Sequence, residues 1–532
     1  MERLLHELIR SSAERNPDQI AVIDGNRRLT YEELEGRTNQ LCGLLLRLGV
    51  TRHDRVGLYL DKSLESVVGV YGILKTGAAY VPLDPQAPTS RLALIARDCD
   101  LKLLVTGIEK AQQWASLVGP TTDVDTLVVL NGRDSDLEDT PAGIRVLALD
   151  ALASATDAPI SVPMIDLDLA YILYTSGSTG DPKGVMLSHL NALTFVDWAT
   201  RVFQVQATDR LSNHAPLHFD LSIFDLFAAA KSGAAVVLVP SRMSIFPIQV
   251  SRFIAEHGIT IWYSVPSALS MLVQRGDLKA GAFPTLRIVL FAGEVFPTKY
   301  LRALMDMLPH VSFFNLYGPT ETNVCTYYEV PVLPEGSFDT IPIGTAISNV
   351  EVFAVADEGT FTPPGEVGEL LVRGSSVMNG YWGDPDRTAA SLVSYPRGGG
   401  ARDRAYKTGD FVRQDSDGNY HLLGRRDSQV KSRGYRIELG EIETALFAHP
   451  SVTDCAVIAI PDELITNRVK AFVTVRSPYS EGELVQFCAE RIPRYMIPEE
   501  FELRATLPKT STGKIDRRAL LMESLSYEEE RK

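Results

Sequence analysis

The chain has 532 residues, 45% hydrophobic and 22% charged, the balance of an ordinary folded protein and a length too great for one core, so two or more domains are expected. A formal net charge of -15 excludes a broad, sequence-independent grip on nucleic acid, which needs clustered Lys and Arg to displace counterions. Cys42, Cys99, Cys325, Cys455 and Cys488 are scattered without CxxC or Cys/His ligand spacing, so neither a disulfide framework nor a zinc site is expected, and the cytosol (cytoplasm) is the natural compartment.

At the start, Leu4, Leu5, Leu8 and Ile9 have helical spacing, but Glu2, Arg3, His6, Glu7 and Arg10 interrupt them. No secretory apolar region tolerates that, and a docking helix is predicted. Short β-branched runs then alternate with amphipathic helical patterns: AVI near Ile23, RVGLYL before a helix through Ser66 to Lys75, AYVPLD, LKLLV, TLVVL, AYILYT, AAVVLVP, ITIWYSV, LRIVLFA and VSFFNLY. The alternation predicts an α/β architecture with largely buried sheets. The longest window free of Asp, Glu, Lys and Arg, His257 to Gln274, contains Pro266 and several serines, and so reads as strand, turn and helix, not as a membrane span.

After about residue 340 the runs shorten (VEVFAVAD, GELLVRG, YKTGDFVRQDSDGNYHLLG), and Asp417-Gly418 is a hairpin signal, so a β-rich subdomain is expected. The charged, glycine-containing segment Gly424 to Glu443 opens a helix from Leu439 to Phe447; VTDCAVIAIPD, VKAFVTV and a helix from Glu483 to Arg491 then predict a small α+β domain. We place the boundary at Asp427, dividing a core of residues 1–426 from a C-terminal domain of residues 427–532. The run near Gly399 reads as a mobile loop, and the final YEEERK as a solvated tail.

The segment YILYTSGSTGDPKG, Tyr171 to Gly184, carries the chemistry. Backbone N–H groups freed by glycine, with Thr and Ser hydroxyls and one ammonium, suit a phosphate. The spacing is not that of a Walker loop, because Pro182 precedes Lys183 and Gly184 follows it, where a helix N-terminus would be needed. In isolation such a run also reads as a surface turn.

The string from Tyr174 to Gly184 resembles the phosphate loop of adenylate-forming enzymes, the ANL superfamily of acyl-CoA synthetases, luciferases and nonribosomal-peptide adenylation domains. Motifs of the amino-acid-activating branch follow in order: LTYEEL at Leu29, LKTGAAYVPLDP at Leu74, HFDLSIFD at His218, NLYGPTET at Asn315, GELLVRG at Gly368, YKTGD at Tyr406, GRRDSQVKSRGYRIELGEIE at Gly424 and PKTSTGKIDRRAL at Pro508. The resemblance runs essentially from end to end. It implies the ANL fold: a large N-terminal domain of two α/β subdomains and a β-rich one, with a mobile C-terminal domain.

It also implies ATP and Mg²⁺ as cofactors. Thr175, Ser176, Gly177, Ser178, Thr179, Gly180 and Lys183 would hold the β and γ phosphates, and Glu321 the metal. Tyr317 would stack on adenine, Asn315 would bond its amine and Asp410 the ribose, with Arg425 nearby and Gly293, Gly318 and Thr320 completing the nucleotide set. By their residue types alone, Tyr317-Gly-Pro and Asp410 read as turn residues and Lys514 as a solvated surface charge. The resemblance instead makes Lys514 the catalytic lysine that bridges the substrate carboxylate and the α-phosphate.

Asp220 lies among Phe219, Leu221, Ile223, Phe224 and Leu226, where an unpaired carboxylate is costly. It could begin a helix, since Ser222 to Asp225 has capping-box form. In the amino-acid branch this Asp pairs with the substrate's α-amino group, a role that fatty and aryl acid ligases do not need. The family's pocket positions fall on Phe219, Asp220, Leu221, Phe224, Tyr263, Leu290, Ala292, Leu316, Val324, Cys325 and Lys514. Apart from Asp220 and Lys514 none is ionised, and several are large, which predicts a small apolar amino acid.

This set resembles that of stand-alone enzymes that activate L-proline and load it on a phosphopantetheinylated carrier protein, with alanine or valine as runners-up. The chain ends soon after Lys514, so the carrier is expected in trans. Asp427 matches the family's hinge, and Lys431 and Gly434 the segment that reaches the site for thiol transfer. Competing readings are an acyl-CoA ligase ending on CoA and a silent adenylation fold serving as a scaffold. Asp181, Ser432 and Asn323 depart from the family pattern without touching a proposed catalytic role.

Overall fold

The computed structural model describes residues 2–132, 144–148, 152, 155–177, 181–334, 340–395, 403–427, 429–476, 480–509 and 515–531. Ser178, Thr179, Gly180, Lys514 and the run near Gly399 lie outside the described residues.

The predicted α/β rhythm builds two large sheets. One has eight strands, in the order Gly380–Tyr381, Lys183–Ser188, Leu169–Thr175, Ala79–Pro82, Arg55–Tyr59, Leu103–Thr106, Thr126–Val129, Arg145–Leu147. The other has nine, in the order Thr345–Ala346, Thr326–Glu329, Ser312–Tyr317, Ile288–Ala292, Ile261–Ser264, Arg210–Asn213, Ala235–Leu238, Ile20–Asp24, Arg27–Thr30. In each, the central strands pair in parallel. Strands buried on both faces need near-continuous apolar runs, which is what IVLFA of Ile288–Ala292 and IWYS of Ile261–Ser264 supply.

One apolar core draws on both sheets and on the helices Tyr31–Arg47, Leu64–Lys75 and His189–Val202. The N-terminal helix Glu7–Arg15 docks as expected, burying Leu8 and Ile9, with Ser12 Oγ donating to Ala230 O at 2.6 Å. Thr30 and Ser63 form capping boxes that begin the next two helices, the second at Leu64, two residues before the Ser66 named from the sequence.

The β-rich part pairs Val350–Val355, Val367–Gly374, Arg404–Gln414 and Leu392–Ser394, with Tyr420–Arg425 joined to Arg404–Gln414 through the turn at Asp417-Gly418. Beyond it come the hairpin Gln429–Ser432 and Tyr435–Glu438, the helix Leu439–Phe447 and a sheet of Val452–Asp462, Thr466–Val475 and Glu500–Leu503. The next helix runs Glu481–Ala489, not Glu483 to Arg491, because Ser480 and Glu483 form its capping box. Of the segment read as a solvated tail, residues 527–531 continue the helix Arg517–Arg531. Among the described residues no helix is long and apolar enough to cross a membrane.

Candidate active site

Loops at the C-terminal ends of parallel strands meet in a cavity of about 100 Å³, the position where open α/β sheets place their ligands. Its wall includes Thr175, Ser176, Phe219, Asp220, Leu221, Tyr263, Ala292, Gly293, Tyr317, Gly318, Thr320, Val324, Asp410, Arg425, Lys431 and Gly434, which brings most of the sequence-derived set together. Phe224, Leu290, Leu316 and Cys325 are not in that wall. Phe224 stands behind Tyr263, the rings edge to face at 5.8 Å, and Leu290 and Leu316 belong to the same core. Cys325 points into the cluster formed with Leu370, Val372 and Val412, toward the β-rich part.

Asp220 stands at the start of the short helix Leu221–Ile223, the position the helix-start alternative gave it, although its side chain makes no capping hydrogen bond there. Ser222 Oγ donates instead to Phe219 O at 2.6 Å. Burial raises the pKa of Asp220, the Thr320 hydroxyl and the charge of Lys431 oppose that in part, and Glu321 adds to it. No Lys or Arg among the described residues forms an ion pair with it.

Glu321 is fully buried and richly partnered. Lys183 Nζ lies 3.0 Å from Oε1, Tyr381 donates its hydroxyl to Oε1 at 2.8 Å, and Arg436 Nη1 reaches both oxygens at 3.0 and 2.8 Å. Burial would raise its pKa, but Arg436 and then Lys183 hold it well below the usual carboxylate range. A lone carboxylate oxygen donor suits Mg²⁺, yet with Arg436 on both oxygens the carboxylate has no free edge for a metal. The residues fit the ion once the guanidinium withdraws.

Elsewhere in the wall Tyr317 donates its hydroxyl to Asp410, and Arg425 bridges Asp410 at 2.7 Å and Asp427 at 2.8 Å. Asn315 Nδ2 donates to Pro342 O at 2.8 Å. In the phosphate loop, a Cβ on Gly177 would lie 2.0 Å from Asp181 O, so only glycine permits that close turn. Thr175 Oγ1 is buried without a hydrogen-bond partner among the described residues, an orphan that a phosphate oxygen would satisfy. Lys183 begins the strand Lys183–Ser188, as the non-Walker spacing required.

The hairpin Gln429–Glu438 lies against this loop. Ser176 Oγ donates to Arg436 O at 2.8 Å, Gly177 N donates to Glu441 Oε2 at 3.3 Å, and Arg91 pairs with Glu441 Oε1 at 2.5 Å. Gly434, with φ of +80°, donates its N–H to Glu294, and a Cβ there would fall 2.3 Å from Val265 Cγ1. A second cavity of about 530 Å³, lined by Ser264, Val265, Arg433, Tyr435, Arg494 and Tyr495, shares His218, Phe219, Leu221, Tyr435 and Tyr495 with the first. Sequence reasoning assigned no part to Arg91, Tyr381, Arg436 or Glu441; the last two lie in the GYRIELGEIE motif, the one available signal.

The family described as AMP-binding enzyme matches residues 9–382, and the AMP-binding enzyme C-terminal domain matches residues 441–514. The chain belongs to the AMP-binding enzyme family. Among relatives of this AMP-binding enzyme, an L-proline--[L-prolyl-carrier protein] ligase of Pseudomonas fluorescens is 43% identical over 97% of this chain and 99% of its own length. Another of the same description from Streptomyces coelicolor is 38% identical over 93% and 92%. In fold it is similar to the Vibrio cholerae adenylation domain AlmE in complex with glycyl-adenosine-5'-phosphate, with a TM-score of 0.86 at 24% identity, over 99% of this chain and 98% of that one. As an AMP-binding adenylating enzyme the protein uses ATP.

Proposed function

We propose that the protein activates L-proline with ATP and loads it on a carrier protein. The observation that carries this reading is Asp220, a carboxylate in the cavity wall beside Phe219, Leu221 and Tyr263 without an ion-pair partner among the described residues, which the ammonium of a small amino acid would complete. The secondary ammonium of proline can pair with it, while Tyr263, Ala292 and Val324 leave room only for a compact ring or a short side chain. The near-full-length likeness to two L-proline--[L-prolyl-carrier protein] ligases supports proline among such substrates.

In the first half-reaction a proline carboxylate oxygen attacks the α-phosphorus, and pyrophosphate leaves. Tyr317, Asn315 and Asp410 orient the nucleoside, Thr175 to Lys183 hold the leaving phosphates, and Lys514 steadies the charge between carboxylate and α-phosphate. Mg²⁺ at Glu321 would neutralise phosphate charge. In the second, the thiol sulfur attacks the mixed anhydride carbonyl, and AMP departs with the bonding electron pair. The larger cavity suits a pantetheine arm, since it reaches the substrate wall at Phe219 and Leu221. The hairpin bearing Lys431 and Gly434 stands at that junction, which fits the second half-reaction, with Asp427 as the hinge that carries residues 427–532 between the two. The five cysteines are all free and buried, which supports a cytosolic setting.

Amino-acid-dependent ATP-pyrophosphate exchange across the twenty amino acids tests the reading. Proline is expected to dominate; alanine or valine as the clear winner would overturn the substrate. Loading of a holo-carrier protein compared with CoA separates the transferase step from an acyl-CoA ligase.

A further inference from the structure

Phe219 and Asp220 reach the cavity wall on the run 215–220, between the strand Arg210–Asn213 and the helix Leu221–Ile223. Two buried charges fix the ground on either side of it. At its head, Lys62 Nζ donates to Asn213 O at 2.9 Å and to His214 O at 2.8 Å. Beyond its far end, Asp225 accepts from Asn213 Nδ2 at 3.0 Å, and it lies in the π-helical turn Phe224–Ala228 that continues the helix. Asn213 is therefore gripped by its carbonyl and by its side chain, and the strand end is tied to the helix that Asp220 begins. Lys62 comes from another layer: it follows the strand Arg55–Tyr59 of the eight-stranded sheet, whereas Asn213 ends a strand of the nine-stranded one.

A solvated surface charge would need no such place. Lys62 lines the larger cavity, where burial pushes its pKa down to about 7 and the charge of Asp225 opposes that only in part. Asp225 is itself fully buried. Asp225 Oδ1, Asn213 Oδ1 and His214 Nε2 have no hydrogen-bond partner among the described residues, so this polar cluster is a costly way to gain stability alone. What it does supply is a fixed origin for the run that carries two residues of the substrate wall.

We propose that Lys62 is a positioning residue for the substrate amine: by holding the carbonyls of Asn213 and His214 it sets the run bearing Phe219 and Asp220, and with it the affinity for proline and the preference for proline over alanine. The inference rests on the reading that Asp220 receives the substrate ammonium. Asp220 would grip that ammonium in the ground state and the transition state alike, so a displaced run weakens binding more than turnover. The phosphate loop, Tyr317 and Asp410 stand on other elements, so the nucleotide is spared.

The test compares Lys62→Met, which keeps the stem and removes the donors, with Lys62→Arg, which keeps them. In pyrophosphate exchange Lys62→Met should raise KM for proline about tenfold, with kcat and KM for ATP changing less than about twofold. The ratio of kcat/KM for proline to that for alanine should fall by a similar factor, and Lys62→Arg should recover most of both. In the ligand-free protein, amide hydrogen exchange over residues 214–223 should quicken about tenfold in Lys62→Met and stay near the parent's in Lys62→Arg. A KM for proline equal to the parent's, or equal losses for proline and ATP, overturns the proposal. Should Lys62→Met fail to fold by circular dichroism, Lys62→Gln is read in the same way, and an unchanged KM for proline there overturns it. Absence of proline-dependent exchange in the parent counts against the functional reading; hydrogen exchange still decides whether Lys62 holds the run, and an unchanged rate in Lys62→Met shows that it does not.

Discussion

Asp220 and Glu321 are carboxylates of one site, yet the described residues give the first no ion-pair partner and the second both Lys183 and Arg436. The consequence is visible in their protonation: burial pushes Asp220 up, while at Glu321 the two cations outweigh burial and hold the carboxyl well down. A fold that can bring Arg436 to one carboxylate could have brought a cation to the other. Holding Asp220 without an ion pair carries a cost that the Thr320 hydroxyl and the charge of Lys431 offset only in part, whereas Glu321 is neutralised by the protein itself in this arrangement.

The sharpest way to break this contrast is to remove each charge in turn. Asp220→Asn should lower kcat/KM for proline in pyrophosphate exchange by on the order of 10³, the cost of leaving a buried ammonium unpaired, while raising the thermal midpoint. A fall in both would make Asp220 structural. Lys514→Ala should reduce exchange by about 10² to 10³ without moving the midpoint, and near-normal exchange would remove it from the mechanism. Glu321→Gln should do the reverse of Asp220→Asn to stability, costing about 3 kcal/mol by stranding Arg436 and Lys183, as a denaturant titration can read.

Smaller effects sharpen the comparison. Gly434→Ala adds a Cβ where Val265 stands and strains a positive φ, so the ratio of carrier loading to exchange should fall about tenfold. With pH, the raised pKa of Asp220 means that the folded state holds its proton more tightly than the unfolded chain. Stability from this group is thus lost as pH rises through the raised value, and proline binding is gained over the same range. KM for proline should rise about tenfold per pH unit below it, a slope that Asp220→Asn abolishes. Glu321 has the opposite sign: its contribution is present above the ordinary carboxylate range and is lost only as pH falls through its depressed value.

Much of the fold was legible because the parallel strands need continuous apolar runs, and those runs are plain in AYILYT, ITIWYSV and LRIVLFA. Asp220 was legible as an oddity, a charge in an apolar stretch, and the structure sets it at a helix start without a capping hydrogen bond from its side chain, a detail no local pattern announces. Helix starts shifted by two residues where Ser63 and Ser480 cap earlier than the apolar periodicity suggests. The depth of the pocket was hidden: Tyr263 and Leu290 pair in register on adjacent strands, yet Tyr263 fills the wall and leaves Leu290 behind it. Arg436 at Glu321 and Arg91 at Glu441 join residues 115 and 350 positions apart, and no local pattern in the chain announces such a meeting.

The seating of Arg436 on Glu321 also bears on the fate of the product. A bound prolyl-adenylate is exposed to reversal as long as pyrophosphate can return to the loop between Thr175 and Lys183. In this arrangement Glu441 accepts the Gly177 amide and the Arg436 guanidinium holds both oxygens of Glu321. On the proposed function, such an arrangement would oppose the return of pyrophosphate and so the reversal of the first step.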